Sequence, residues 1–389
     1  MSYLKIGCLF FCLALAYVSC RKPYEPPVDT INTNFLVVEG FINTGKDSTI
    51  IKLSRTVPIS EKGTIKPELK AQLVIESENN ATYPLNELKG GVYGAAPLNL
   101  DPNQKYRLRI TTTAGSSYLS DFVESKRSPL IDSISWAVKN DGVQIYSNTH
   151  DDTKKSVYYR WEYEETWQFT AQYSSSIIAE ESGMNSRDPE TQDIYRCWGK
   201  YNASTIVLGS SEKLEKDVIH LNPVIFIRSD SEKVMTKYSI LVKQYALTKE
   251  AFDFWQTLKK NTESLGSIFD AQPSQLTGNI KNIDNPAEPV LGYLSAGTVE
   301  QKRIFISDRE LPDWRTAYPF SCAPLDSVFL QDMDPGVSPK LYWEKVINQI
   351  PVEGFYHPEN GGLLGYLGAS SACADCTIRG TNKRPEYWQ

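Results

Sequence analysis

Hydrophobic and polar residues alternate along much of this chain in short runs, which is the pattern of half-buried β-strands. Before residue 126, such runs are rich in β-branched residues and are bounded by Gly, Pro or Asn. We therefore predict a compact β domain over residues 34–126. Its clearest strands cover residues 35–42, 48–53, 71–76 and 106–111.

The segment Leu100-Asp-Pro102-Asn-Gln-Lys-Tyr106 precedes the last of these strands. Leucine, proline and tyrosine at this spacing resemble the tyrosine corner of fibronectin-type sandwiches, in which the phenol bonds to a nearby backbone group. The alternative is that Tyr106 contacts a ligand, and we favour the structural role. The segment predicts an immunoglobulin- or fibronectin-like β-sandwich over residues 34–126.

A second β region starts near Pro129 and predicts a second sandwich-like domain over residues 127–389. In its strongest strand, Tyr159, Trp161 and Tyr163 share one face, because side chains alternate along a strand. Such an aromatic row can stack on sugar rings, but we favour a place in the core. The periodicity stops between residues 171 and 195, which predicts a long loop.

One helix is predicted, over residues 248–261. Thr248 suits the N-cap position, and Glu250 suits the positive end of the helix dipole. Apolar residues at three-residue steps, beside Ala251, predict a single stripe that packs on a sheet. The stripe consists of Phe252, Trp255 and Leu258.

The remainder of the chain is less regular. Residues 289–295 and 303–307 are predicted to be strands that pair with each other. From residue 308 onward, Pro, Gly and aromatic residues are frequent. We predict a loop-like tail that wraps the second domain.

The N-terminus is typical of an export signal that ends in a lipidated cysteine. Residues 6–18 form an apolar or small run after a single lysine. As a helix this run would be about 20 Å long, too short for a hydrocarbon core of about 30 Å. Ser19 and Cys20 follow. We predict a signal peptide over residues 1–19 and lipid on Cys20; the alternative is an ordinary secretory signal with a spare thiol.

Residues 20–33 contain three prolines, which exclude a helix or a central strand. We predict an extended tether that holds the globular body off a membrane, with lipid as the only anchor. The chain has a formal net charge of −6. Its basic residues form no evident cluster in the sequence, which argues against a nucleic-acid partner.

Four cysteines follow Cys20. In an oxidising compartment an even number predicts two disulfides, with three possible pairings. The competing interpretation is a four-thiolate zinc site, for which the Cys-x-x-Cys at the C-terminus supplies one half. The sequence has no second Cys-x-x-Cys, so we favour bridges that hold the tail to the body. The candidates are Cys197, Cys322, Cys373 and Cys376.

Several segments resemble a family of Bacteroidota lipoproteins known only as domain of unknown function 4249. They cover residues 36–40, 238–255, 266–280 and 290–296, and the ending Cys373-Ala-Asp-Cys376-Thr-Ile-Arg-Gly380. The resemblance implies an outer-membrane lipoprotein, often encoded beside TonB-dependent transporters, without a defining activity. It also implies lipid at Cys20 and bridges at the four later cysteines. Arg21 and Lys22 precede any acidic residue. The resemblance therefore leaves open whether the body lies on the periplasmic side or on the cell-surface side of the membrane.

No catalytic motif is evident. There is no Gly-x-Ser-x-Gly elbow and no phosphate-binding glycine loop. His150, which Asp151 and Asp152 follow, could suggest a metal site, but we favour a solvated turn. Glu164-Glu165 and Glu180-Glu181 could come together in space as the distant carboxylate pair of a glycosidase, although acidic residues are common in this chain.

We therefore expect a protein that is not an enzyme and needs no cofactor or metal. The first function class is a binding or docking partner of a TonB-dependent nutrient transporter, anchored at the outer membrane. The alternative is a structural or adhesive protein of the cell envelope.

Overall fold

In the computed structural model, the described residues are 34–58, 63, 65–263 and 276–388. They form a mainly β protein with sandwich-like sheets, which confirms the predicted fold class. The predicted signal peptide, Cys20 and the tether over residues 20–33 lie outside the described residues.

The first β unit starts with strands in which buried side chains alternate with exposed ones, because branched and aromatic residues occupy every second position. These strands are β1 Leu36–Asn43, β2 Thr49–Arg55, β3 Lys66–Pro67, β4 Gln72–Ser77, β5 Thr82–Lys89, β6 Val92–Ala95, β7 Lys105–Thr111, β8 Ser117–Ser120 and β9 Val123–Lys126.

The later elements are more varied in length. The strands are β10 Ile131–Lys139, β11 Gly142–His150, β12 Tyr158–Thr170, β13 Ile177–Glu180, β14 Gly183–Ser186, β15 Arg196–Asn202, β16 Val207–Ser210, β17 Val218–Arg228, β18 Lys237–Leu247, β19 Ile280–Asn282, β20 Ser295–Gly297, β21 Val299–Ser307, β22 Asp326–Phe329, β23 Ile350–Tyr356 and β24 Leu363–Ala369. The helices are α1 Lys249–Glu263, α2 Pro339–Leu341, which continues as a π-helix over Tyr342–Ile347, and α3 Ser371–Ala374; short 3₁₀ turns cover Glu232–Val234, Asp308–Glu310, Leu330–Asp332 and Cys376–Ile378.

The first β unit closes on itself. Its pairing order is β7-β4-β5-β6-β2-β1-β20-β9, and β9 pairs again with β7, while β8 and β19 extend from β7. The two layers are therefore joined at both edges. Their shared core contains Leu36 and Leu108 together with Leu294 and Ala296. Residues 34–126 alone do not complete this sandwich, because the segment 280–297 supplies part of its wall and core.

The predicted pairing of residues 289–295 with residues 303–307 is wrong. β20 runs parallel to β1, with Phe41 opposite Ser295, whereas β21 pairs with β18. Only Thr298 separates β20 from β21, so one extended stretch passes from the first β unit into the second. Alternation correctly marks residues 303–307 as part of a strand. Of residues 289–295, however, only Ser295 lies in a strand, and Leu291 makes an isolated bridge to Val37. Alternation also does not show which sheet a segment joins. We call the contact of residues 290–297 with β1 the seam.

The turn before β7 has the geometry that a tyrosine corner requires. The Tyr106 hydroxyl donates a hydrogen bond to the backbone oxygen of Asp101 at 2.8 Å, and Leu100 is buried beside it. Pro102 stands exposed in the same turn. Burial raises the pKa of Tyr106 to about 12, so the phenol keeps the proton that this bond needs.

Two sheets enclose the core of the second β unit. One has the order β10-β11-β17 and the other β15-β12-β18-β21. Tyr159, Trp161 and Tyr163 lie buried between them, which agrees with the core interpretation of the aromatic row. The Trp161 indole donates to Gln244 Oε1 at 2.9 Å, so the one polar group of this large side chain is satisfied.

Helix α1 lies in the corner between the two β units. Its buried side chains are Ala251 and Phe254, so the predicted stripe missed Phe254. The ring of Phe254 lies 5.2 Å from that of Tyr293 in the seam, and the ring of Phe252 lies 5.0 Å from that of Tyr158 in β12. The helix needs a wide apolar face because it contacts both units.

The C-terminal tail is more regular than predicted. β22, β24 and β23 form a three-stranded sheet, and Trp343 packs into a cluster beneath it. Residues 171–195, predicted as a loop, contain the hairpin β13–β14. These strands escaped prediction because they are short, and because Gly365 and Gly368 interrupt the alternation in β24.

Gly292 gives a direct test of the seam. Its φ is +132°, and a Cβ there would lie 2.0 Å from the backbone oxygen of Val38. We expect Gly292→Ala to lower the free energy of unfolding by about 3 kcal/mol or more, because strain and a backbone clash act together. Urea unfolding measures this loss.

Gly115→Ala is the matched control. Gly115 also has a positive φ, +89°, but no described atom lies within 4 Å of the added Cβ. Gly115→Ala should lower the free energy of unfolding by only about 1 kcal/mol, because backbone strain acts alone. Equal losses in the two variants would contradict the close approach of the chains at the seam.

Candidate functional site

A cleft of about 520 Å³ opens between the two β units at the start of α1. Its walls come from the region around β9, the start of β12, the first turn of α1 and the seam. A volume of roughly 300–1,000 Å³ is typical of ligand sites. We call it the interdomain cleft, and it is the candidate functional site.

The first turn of α1 forms the floor of the interdomain cleft. Thr248 caps the helix, because its Oγ1 accepts a hydrogen bond from the backbone N–H of Ala251 at 3.2 Å. The pKa of the Glu250 carboxyl is held below its usual value by its own backbone N–H and by the Thr248 hydroxyl. Glu250 is therefore ionised at neutral pH and occupies the positive end of the helix dipole itself.

Two tyrosines line the cleft on opposite units. A hydrogen bond to Glu212 is the main reason why the pKa of Tyr158 is raised. Burial raises the pKa of Tyr293. Both phenols are therefore protonated at neutral pH. They give the cleft neutral aromatic surface, and the Tyr158 hydroxyl already donates its proton to Glu212.

Charged side chains of both signs surround the mouth. Lys126 Nζ lies 3.3 Å from Glu124 Oε2, and Lys249 Nζ lies 3.4 Å from Asp253 Oδ1. Exposed ion pairs of this kind contribute little to stability, since water screens them. They can therefore exchange partners with a ligand at low cost. Phe122, 40% exposed, adds apolar surface at the rim.

The titratable side chains in the lining of the cleft are carboxylates, lysines and tyrosines. The lining contains no histidine or cysteine. A general acid at neutral pH needs a raised pKa, whereas the pKa of Glu250 is lowered. Within the described residues, no group of three or more His, Cys, Asp or Glu side chains could hold a metal ion.

The predicted disulfides are present. Cys197 pairs with Cys376 and Cys322 pairs with Cys373, with Cα–Cα distances of 5.7 and 5.9 Å. The two thiols of the Cys-x-x-Cys therefore belong to different bridges. A four-thiolate zinc site is excluded, because each sulfur is bonded to another sulfur.

The bridges hold the tail against the second β unit. The backbone N–H of Trp198 donates to the oxygen of Thr381 at 2.8 Å. The ring of Trp388 lies 5.5 Å from that of Phe305. The tail thus covers the outer side of the larger sheet. None of its described residues contributes to the lining of the interdomain cleft.

The other chemically suggestive residues have structural partners. His150 Nδ1 lies 2.8 Å from Asp132 on the surface. Glu165 is buried and bonds to Lys233 Nζ at 2.7 Å and to the Tyr238 hydroxyl at 2.9 Å. Glu164 points to the opposite face of β12, where it pairs with Lys243.

Glu180, of the second acidic pair, lies in a hairpin, and the predicted lipidation site lies outside the described residues. Glu180 accepts a hydrogen bond from Asn185 at 2.8 Å in the β13–β14 hairpin. Cys20 lies outside the described residues, so its role stays a prediction. Among the residues that are described, no helix is long and apolar enough to cross a membrane.

Sequence reasoning missed the interdomain cleft. The sequence predicts a helix start at Thr248 and Glu250. No short-range sequence pattern shows that β9, Tyr158 and Tyr293 meet there. The cleft exists because the seam brings distant segments together.

The fold and the cleft define a disulfide-bridged protein of two β units with an open site between them. The family described as "Domain of unknown function (DUF4249)" matches residues 21–303, and the chain belongs to this family. The matched range ends before Cys322, Cys373 and Cys376, so most of the bridged tail lies beyond it.

The other comparisons add little. No curated protein matches the chain. A solved structure described as "Crystal structure of CBD12 from CALX1.2" aligns with 70% of this chain and 100% of its own, at 8% identity and a TM-score of 0.14. That TM-score is too low to carry an argument about fold or function.

Replacing Cys197 and Cys376 together by serine should lower the free energy of unfolding by about 2–5 kcal/mol. This bridge spans a sequence separation of 179, against 51 for the other. The chain-entropy model makes loss of the shorter bridge about 1 kcal/mol milder. Urea unfolding compares the two double variants.

Peptide mapping without reductant is the control for these variants. Each should retain the remaining native bridge. Recovery of a Cys373–Cys376 bridge, or of free thiols in the unmodified protein, would contradict the observed pairing.

Proposed function

We propose that this protein is a lipid-anchored module of the cell envelope that binds a ligand or partner without chemical catalysis. The observation that carries the proposal is the pair of disulfides between Cys197 and Cys376 and between Cys322 and Cys373. Disulfides form and persist in oxidising compartments and are rare in the cytosol. They therefore support export of the chain.

The anchor is assigned to Cys20. The short apolar run before Ser19 and the proline-rich segment after Cys20 support cleavage, lipidation and an extended tether. The outer membrane is the proposed location, as the resemblance to Bacteroidota lipoproteins implies. A periplasmic and a cell-surface body are both compatible with this anchor.

The interdomain cleft is the proposed binding site. Tyr158 and Tyr293 offer aromatic surface, and the exchangeable pairs of Lys126 and Lys249 offer charge. Ionised Glu250 supports a binding role over general-acid catalysis. The proposed partner is a TonB-dependent nutrient transporter, for which this protein would be an accessory docking module.

Cys20→Ser tests the anchor. We expect the protein to move from the membrane fraction to the soluble fraction, because the substituted residue offers no sulfur to lipidate. Cys12→Ser is the matched control, since Cys12 lies in the predicted signal peptide and should leave fractionation unchanged. A Cys20→Ser protein that stays on the membrane in the same amount would contradict the proposed anchor.

Mild crosslinking and detergent extraction test the partner. We expect the protein to be recovered with an outer-membrane barrel. Phe122→Ser and Lys249→Glu together should reduce that recovery about tenfold or more, because both change the rim of the cleft. Lys345→Glu, exposed on the C-terminal sheet region, is the control and should have no effect.

Two outcomes would contradict the docking function. Recovery of the lipoprotein alone would favour a structural or adhesive role in the envelope. Equal recovery by the rim variant and its control would remove the cleft from the contact with the barrel.

A further inference from the structure

The described chain enters the first β unit at one end, next to an exposed surface. Arg55 Nη1 donates to the backbone oxygen of Asn34 at 3.2 Å, and Lys66 Nζ lies 3.3 Å from Asn34 Oδ1. Residue 34 is therefore held where β2 ends and β3 begins. Residues 20–33, the proposed tether, lead directly to this point.

Two large apolar side chains are exposed to solvent near this entry. Ile65 is 82% exposed and Leu69 is 45% exposed. Ile65 is the most exposed large apolar side chain in the described part of the protein. Exposed apolar groups that gather at one place mark a contact surface more often than scattered ones do.

Backbone contacts bring these segments together. The N–H of Lys70 donates to Glu87 Oε2 at 2.8 Å, which joins the segment after β3 to the end of β5. A Cβ on Gly91 would lie 2.9 Å from Pro67 Cβ, so the β5–β6 turn rests against β3. Leu69 and Lys89 therefore lie near the chain entry, whereas the Leu88 side chain reaches along the sheet toward Gly94 and Ile50.

The same end is basic. Lys66, Lys70 and Lys89 are exposed there. Of the nearby carboxylates, Glu68 pairs with Arg55 at 2.6 Å, Glu288 also approaches Arg55 at 3.9 Å, and Glu87 accepts two backbone N–H groups. A cationic end on a chain of net charge −6 is a local exception, and it complements an anionic surface.

We infer that this tether-end surface rests on anionic phospholipid: Ile65 and Leu69 contact the interface, and Lys66, Lys70 and Lys89 contact the headgroups. The inference rests on the proposed lipid anchor at Cys20. Fourteen residue-to-residue steps lead from Cys20 to Asn34 and span at most about 50 Å, so the tether allows this end to lie flat on the bilayer. Apolar and basic groups together are the usual composition of peripheral membrane contacts.

This orientation directs the rest of the protein away from the lipid. The second β unit packs on the other end of β1, where the rings of Phe41 and Tyr245 lie 5.0 Å apart. The interdomain cleft, which lies between the units, then stays accessible to a partner while the body is held down.

The test is amine labelling of the intact lipoprotein on vesicles of phosphatidylethanolamine and phosphatidylglycerol, compared with the same protein in detergent. We expect labelling of Lys66, Lys70 and Lys89 to fall at least fivefold on the vesicles. Lys340 and Lys345, exposed on the C-terminal sheet region, are internal controls and should label equally in both states.

A second variant measures the contribution of charge. Lys66, Lys70 and Lys89 are changed together to glutamine in the Cys20→Ser chain. Since each lysine beside an anionic leaflet contributes about fivefold, binding to the same vesicles should fall about 100-fold relative to Cys20→Ser alone. Lys340 and Lys345 changed to glutamine should leave binding unchanged.

The outcomes separate this inference from the anchor. If the lipoprotein binds vesicles but the three lysines label as in detergent, the tether-end contact is wrong and the anchor stands. If the lipoprotein does not bind vesicles at all, both are wrong. Protection in isolated envelopes but not on vesicles would overturn the lipid contact in favour of a protein partner.

Discussion

The parallel pairing of residues 290–297 with β1 is the constraint on which the rest of the structure depends. The N–H of Val38 donates to Leu291 at 2.8 Å, and Gly292 allows the two backbones to approach where a side chain would clash. Thr298 then leads without a loop into β21. A single extended stretch therefore belongs to both β units and fixes how they meet.

Other features follow from that junction. Helix α1 fills the corner because Phe254 contacts Tyr293 in the seam, while Phe252 contacts Tyr158 in β12. The interdomain cleft is the space that remains at the start of the helix. Its lining comes from strand ends, from the segments that connect them and from the capped first turn of the helix.

Much of the local structure could be predicted from the sequence. The β class, the cap at Thr248, the turn at Tyr106 and the buried row with Trp161 all follow from short-range patterns. The even number of cysteines predicted bridges, although not their pairing. In each case the deciding physical signal lies within about ten residues or in a simple count.

The seam and the cleft could not be predicted in this way. β20 has only three residues, and it pairs with β1 across more than half of the chain. Its partner is decided by the closure of a barrel-like sheet, which leaves no local periodicity. The error in pairing residues 289–295 with 303–307 has the same cause, and so has the failure to see that Tyr293 faces α1.

The central claim is that the seam makes the two β units one cooperative structure, and unfolding followed with two probes tests it most directly. All eight tryptophans lie after residue 130, so their fluorescence reports the second unit, while hydrogen exchange of β2 and β7 amides reports the first. The account predicts a single urea midpoint by both probes. Fluorescence that is lost while those amides stay protected would contradict it.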